Sequence, residues 1–194
     1  MNSLSFYIKL GFEHISDFAG YDHMLFLVAL CAIYRIQQWK SILILVTAFT
    51  IGHSVTLVLS SLDILIIQSN IIEFLIPITI FLTALNNVIG SNSEEKRSKM
   101  NKNYVMALFF GFIHGMGFSN YFKALLMDST SVTLPLLGFN IGIELGQIIV
   151  VFFIVSVAYL FLNKLKVRHR DWNVFVSGAA AGISLVFILE NKIW

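Results

Sequence analysis

Four of the five histidines in this chain lie within or beside long apolar segments, where an ionisable side chain is costly. They are His14, His23, His53 and His114. Carboxylates occur in similar surroundings at Asp22, Glu73 and Glu144. Imidazole and carboxylate groups are ligands for borderline divalent metals such as nickel, cobalt and zinc. These residue types therefore predict a divalent-metal site inside a membrane, without choosing among the metals.

The first two motifs each combine a histidine with small or polar neighbours. Asp22 and His23 are adjacent, so both could bind one ion, or the carboxylate could orient the imidazole. Thr50, His53 and Ser54 are spaced so that they share one helical face. The alternatives are a hydrated helix end for the first motif and a hydrogen bond between helices for the second.

Glycines surround the third candidate histidine. His114 lies among Gly111, Gly115 and Gly117. Such a pattern favours close helix packing or a locally unwound backbone, which is tolerated at membrane depth where it lines a cavity. We expect His114 to belong to a site, although the glycines alone would also fit simple packing.

The fourth motif is a polar stripe with a carboxylate at its centre. Asn140, Glu144 and Gln147 recur at helical spacing, beside glycines at every fourth position over 138–146. A buried Glu144 must be protonated, paired with a cation or bound to a metal, so we include it among the predicted ligands. The predicted supporting residues are Thr50, Ser54, Glu73, Asn140 and Gln147.

The composition indicates that a lipid bilayer surrounds these motifs. Of 194 residues, 57% are hydrophobic and only 12% are charged, about half the usual share for a soluble domain. A net charge of +2 gives no indication of nucleic acid as a partner, and the single Cys31 provides no disulfide framework. The expected partners are lipid and a metal ion; a homo-oligomer is allowed but not required.

Six apolar segments are long enough to cross a membrane as helices. They span about 17–36, 41–62, 71–89, 104–126, 136–163 and 173–190, with a polar loop at 90–103. The predicted fold is a single all-α transmembrane domain over 1–194. Ten of the thirteen basic residues fall in the first, third and fifth loops. The positive-inside rule therefore predicts that both termini lie on the non-cytoplasmic side and that the site opens outward.

Four motifs resemble, in the same order, those of the HupE/UreJ family. They are G-x-x-H-I with G-x-D-H over 11–23, T-A-F-T-x-G-H-S-x-T-L over 47–57, G-F-x-H-G-x-G-F over 111–118 and F-N-x-G-x-E-x-G-Q over 139–147. Glu73 and the pair Asn86 and Asn87 are further matches. The resemblance implies a small multi-pass protein of the bacterial inner membrane, linked to hydrogenase and urease systems and acting as a nickel or cobalt permease.

The same residues allow more than one activity. In transport, His14, Asp22, His23, His53, His114 and Glu144 would hold an ion that enters from the periplasmic side. As an alternative, a fixed metal with Glu144 or Glu73 as general base would hydrolyse a lipid, lipoprotein or peptide at the outer leaflet. A third interpretation is a metal-binding or scaffolding subunit. A transporter needs polar residues such as Thr47, Asn86 and Asn87 along an inward path, whereas an enzyme does not.

Overall fold

The computed structural model describes residues 3–17, 20–90, 96–126 and 132–193, and within these ranges it is helical without any strand. The α-helices are α1 Leu4–Ser16, α2 Tyr21–Cys31, α3 Trp39–Ser61, α4 Ser69–Ile89, α5 Lys96–Gly117, α6 Ser119–Leu126, α7 Thr133–Tyr159 and α8 His169–Glu190. A 3₁₀ turn, Ile36–Gln38, precedes α3, and a π-helical turn, Leu160–Lys164, extends α7.

Four helical segments are long and apolar enough to cross a membrane, so the chain is a multi-pass membrane protein. They are Ile36–Ser61, Ser69–Ile89, Thr133–Lys164 and His169–Glu190. These segments occupy the positions of the second, third, fifth and sixth predicted helices. Each exceeds the roughly 20 residues that a ~30 Å hydrocarbon core requires.

Of the other two predicted spans, one contains only a short helix and the other is divided between two helices. The segment 17–36 contains α2, whose 11 residues extend only about 16 Å, and α1 precedes it as a separate helix. Residues 18 and 19 lie outside the described residues. The segment 104–126 is divided between α5 and α6 at Phe118. Of the predicted polar loop 90–103, residues 91–95 are not described, and α5 already begins at Lys96.

Glycines bring α3 and α5 into backbone contact. A Cβ on Gly52 would collide with the backbone of α5. On the facing helix, a Cβ on Gly111 would overlap the carbonyl oxygen of Phe49, and one on Gly115 would overlap that of His53. Contact positions rise together along both helices, so α3 and α5 run parallel. Side chains on either helix near this line are held at fixed separations.

A second glycine contact joins α1 to α7. A Cβ on Gly142 would overlap the carbonyl oxygen of Ile8, and one on Gly146 would lie 3.2 Å from the Cβ of Ile15. The glycine ridge predicted over 138–146 is therefore confirmed as a packing surface. Because the paired numbers rise together, α1 runs parallel to α7.

One end of the helix bundle gathers the basic segments. There, Lys102 Nζ donates to Asn86 Oδ1 at 3.2 Å, which ties the start of α5 to the end of α4. Asn173 Nδ2 donates to the backbone oxygen of Asn87 at 3.0 Å, so α8 begins at the same end. Since α3 runs parallel to α5, it also starts here. The basic residues of the first, third and fifth predicted loops thus belong to chain segments at one end.

Candidate metal-binding site

Four imidazole rings from four different helices converge at one place. The ring centroids of His14 and His23 are 4.7 Å apart, and those of His23 and His114 are 5.1 Å apart. The ring of His53 lies 5.8 Å from that of His14 and 6.0 Å from that of His23. The structure therefore brings together all four histidines that the sequence singled out.

The interruption between α1 and α2 allows the rings of His14 and His23 to come into contact. His14 and His23 are nine positions apart, which in a continuous helix would separate them by about 13 Å along the axis. Because α1 ends at Ser16 and α2 begins at Tyr21, the two side chains instead meet across the break. A broken helix that lines a cavity is a common way to build an ion site in membrane proteins.

Asp22 orients the imidazole that follows it. Its Oδ1 atom accepts a hydrogen bond from the backbone N–H of His23 at 2.9 Å and lies 3.1 Å from Nδ1 of the same residue. A carboxylate in this position can fix the orientation of the ring, or it can bind an ion itself. His23 is buried, while Asp22 is only partly so.

His53 and His114 are positioned by the parallel pair α3 and α5, and both are buried. Thr79 on α4 orients the ring of His114, because its Oγ1 lies 3.1 Å from Nε2 of that ring. The same hydroxyl donates its hydrogen to the backbone oxygen of Ile76 at 2.7 Å. When the hydroxyl donates to that oxygen, it accepts from Nε2–H of His114, and the Nδ1 atom then keeps a free lone pair.

Several buried ring nitrogens of the cluster have no hydrogen-bond partner among the described residues. They are Nε2 of His14, Nε2 of His23, both ring nitrogens of His53 and Nδ1 of His114. Leaving a buried polar atom unsatisfied costs about 1–3 kcal/mol, and native proteins keep such atoms few. Neutral imidazole lone pairs at this spacing fit a divalent transition metal.

A cavity of about 750 Å³ reaches this cluster. His14, His23 and His114 lie on its wall, whereas His53 is fully buried behind them. Carboxylates also line the cavity, and they are Glu13, Asp17, Asp22 and Glu73. An excess of negative groups at the approach concentrates cations near the imidazoles.

Glu144 lies outside this cluster. Its Oε1 atom accepts a hydrogen bond from Thr47 Oγ1 at 2.7 Å, where α7 crosses α3. One turn further along both helices, Gln147 Oε1 accepts from Thr50 Oγ1 at 2.7 Å. Two predicted residues, Thr50 and Gln147, thus form a buried contact between helices. Glu144 is absent both from the cavity wall and from the groups of side chains spaced to share an ion.

The remaining predicted supporting residues are dispersed. Ser54 Oγ donates to the backbone oxygen of Thr50 at 2.6 Å and so bonds within its own helix. Asn140 has a buried Oδ1 atom without a partner among the described residues. Glu73 lies on the cavity wall and is exposed.

Three residues near the site did not stand out in the sequence. Thr79 bonds to His114, and Glu13 and Asp17 line the cavity. Thr79 could have been found from its fourfold spacing with Thr83 and Asn87, which marks one face of α4. No comparable signal marks the two carboxylates, because polar residues near a helix end are ordinarily hydrated.

The chain is similar to a known protein family. A family model described as HupE / UreJ protein matches residues 1–191. No curated protein and no solved structure matches the chain. The matched range includes every helix and every residue of the histidine cluster.

Proposed function

This chain belongs to the HupE/UreJ family, and we propose that it transports a divalent transition-metal ion across the membrane. The observation that carries the proposal is the convergence of four histidines and Asp22 at the end of a cavity lined by carboxylates. In this proposal the ion is the substrate, and the cluster is the place where it exchanges water for protein ligands.

The proposed ligands are His14, Asp22, His23, His53 and His114. Membership of the family favours nickel and cobalt, and zinc accepts the same ligands. Asp22 offsets part of the charge of a dication, while the neutral imidazoles disfavour magnesium and calcium, which prefer oxygen ligands. The hydrogen bond of Glu144 to Thr47 suits a role in holding α7 against α3.

A row of polar residues on α4 supports an onward path from the cluster. Thr79, Thr83 and Asn87 occupy every fourth position and are all buried. The row starts at the hydrogen bond to His114 and ends at a small cavity of about 10 Å³, lined in part by Asn86 and Asn103. Asn87 Nδ2 donates to the backbone oxygen of Ala29 at 2.7 Å, so this end is closed. Opening it requires α4 to move away from α2.

The orientation in the membrane follows from charge. The basic segments belong to the bundle end at which α5 and α8 begin. The positive-inside rule assigns that end to the cytoplasm and the large cavity to the periplasmic side of a bacterial inner membrane. An ion would therefore enter through the cavity and leave along α4.

The experiment compares two histidine variants in proteoliposomes loaded with a fluorescent metal chelator. Uptake of Ni²⁺ and Co²⁺ is measured for the wild type, for His23→Ala and for His169→Ala. His169 begins α8 and lies outside the cluster, so it is the matched control. We expect His23→Ala to lower uptake at least about tenfold, by comparison with substitutions around known metal sites. Equal uptake by both variants would refute the proposal.

One observation favours hydrolysis as a second candidate. The cavity on the carboxylate side is large and carries Glu73 on its wall, whereas the cavity at the far end of α4 is small. A metal held by three residues with a water molecule, and Glu73 as base, would suit a lipid, lipoprotein or peptide substrate. Wild-type protein that retains one tightly bound metal ion but shows no uptake would favour this function.

A further inference from the structure

The five proposed ligands form two triads that share His23. One ligand atom each from His14, His23 and His53 lies within 4.8 Å of the others, and this group is the imidazole triad. The same holds for Asp22, His23 and His114, which form the acidic triad. Within the part of the chain that the structure describes, no group at this spacing joins all five residues.

The two nitrogens of the shared ring have different surroundings. Nδ1 of His23 lies 3.1 Å from Oδ1 of Asp22, within the acidic triad. Nε2 of the same ring is buried and has no hydrogen-bond partner among the described residues, and the centroid of the His14 ring lies 4.7 Å from that of His23. His114 completes the acidic triad through Nδ1, because its Nε2 is bonded to Thr79.

The two triads differ in access and in charge. All three residues of the acidic triad line the large cavity, and its carboxylate can compensate a dication that arrives hydrated. In the imidazole triad, His53 is fully buried and does not line the cavity. An ion therefore meets an oxygen and two nitrogens first, and three neutral nitrogens only deeper in the protein.

We infer that the triads are two successive positions for one cation, an entrance position at the acidic triad and an inner position at the imidazole triad. This inference rests on the proposed function. His23 remains close to the ion while Asp22 and His114 are exchanged for His14 and His53, so the cation never has to lose all its ligands at once. Two dications on one imidazole would repel each other a few ångströms apart, so the positions are occupied in turn.

The test uses Co²⁺ and the purified full-length chain in detergent. Bound metal is measured by equilibrium dialysis, and the ligand atoms are identified by X-ray absorption spectroscopy. The variants are His53→Ala, Asp22→Ala and His23→Ala, with His169→Ala as the control. Circular dichroism and thermal melting verify that each variant is folded.

The expected results separate the two positions. His53→Ala should still bind one ion, with a mixed oxygen and nitrogen shell. Asp22→Ala should also bind one, with a shell richer in nitrogen. His23→Ala, which removes the shared ligand, should weaken binding at least about tenfold more than either.

Two results would overturn the inference while leaving the proposed function intact. Parallel loss of Co²⁺ in His53→Ala and Asp22→Ala, or identical ligand shells in both, would show a single undivided centre. Two ions bound at once by the wild type would show simultaneous occupation in place of succession. Wild-type protein that binds no Co²⁺ would overturn the proposed function together with this inference.

Discussion

Glu144 illustrates how a costly residue acquires a role through its nearest neighbour. Its carboxylate is partly buried where α7 crosses α3, and a threonine hydroxyl donates to it. Gln147 and Thr50 repeat the same contact one turn away in fully buried surroundings. Two such hydrogen bonds between apolar helices fix the rotation of α7 relative to α3. This role is structural and needs no metal ion.

Replacing Glu144 tests that role directly. Glu144→Gln keeps an oxygen that can accept a hydrogen bond from Thr47. Substitution of a residue that supports a metal site usually lowers metal affinity about 10–100-fold, and we expect this variant to change the Co²⁺ affinity much less. Isothermal titration of the detergent-solubilised variant beside His23→Ala gives the comparison. A loss of affinity as large as that of His23→Ala would make Glu144 a ligand.

At the level of the helices, the site depends on how closely backbones approach. The imidazoles of His53 and His114 come from parallel helices whose contact is lined with glycine. On the other side of the cluster, His14 is carried by α1, which the glycines of α7 hold at similarly short range. The positions of the imidazole rings therefore depend on the glycines, which let the helix backbones approach closely, as well as on the histidines themselves.

Gly115→Ala should disturb the site through this packing. Its methyl group would overlap the carbonyl oxygen of His53 and the hydroxyl of Thr56, so α3 and α5 would have to separate. We expect a loss of about 1–3 kcal/mol in stability, as for other overpacked cores, together with weaker Co²⁺ binding. Thermal melting in detergent, followed by titration of the folded fraction, measures both effects.

Gly182→Ala is the matched control for that substitution. A Cβ at Gly182 has no atom within 4 Å, so the helix propensity of alanine should leave stability unchanged or raise it slightly. Equal melting temperatures and equal affinities for the two variants would mean that backbone contact between α3 and α5 does not position the histidines.

The sequence predicts which histidines lie close together better than it predicts the helices that carry them. Ionisable side chains are energetically costly inside a membrane, so their occurrence in apolar segments identifies four histidines from the sequence alone: His14, His23, His53 and His114. Hydropathy, by contrast, predicts one helix over 17–36, whereas α2 covers only Tyr21–Cys31, because apolar residues continue beyond the point where the helix ends. Break positions depend on tertiary contacts across the chain, which a window of neighbouring residues does not contain.

The same limit explains Glu144 and Thr79. A carboxylate in an apolar helix looks like a ligand, but its partner depends on which side of α7 faces which helix. Thr79 looks like an ordinary helix residue until α4 is placed against α5 and its hydroxyl reaches His114. The spacing of a motif identifies the residues that share one face of a helix. Which residues they contact depends on how that helix packs against its neighbours.

Considered as a whole, the molecule is polarised between its two ends. The large cavity carries Glu13, Asp17, Asp22 and Glu73, whereas the opposite end joins the starts of α5 and α8 to the end of α4. The start of α1 packs against the start of α7, near Gly138. The end of α8 lies beside the start of α2, where Tyr21 stacks on Phe187. Leu4 near the start of the described chain and Phe187 near its end thus belong to the cavity end of the bundle.

Cysteine labelling tests the resulting topology in cells. In a Cys31→Ala background, single cysteines are introduced as Ser3→Cys, Lys192→Cys and Lys164→Cys, all at exposed positions. Because the basic segments should face the cytoplasm, we expect a membrane-impermeant maleimide to label the first two in intact spheroplasts and the third only after permeabilisation. Labelling of Lys164→Cys from outside would invert the molecule, so that the large cavity would face the cytoplasm and the proposed direction of transport would reverse. Labelling of the two termini from opposite sides would exclude an even number of crossings.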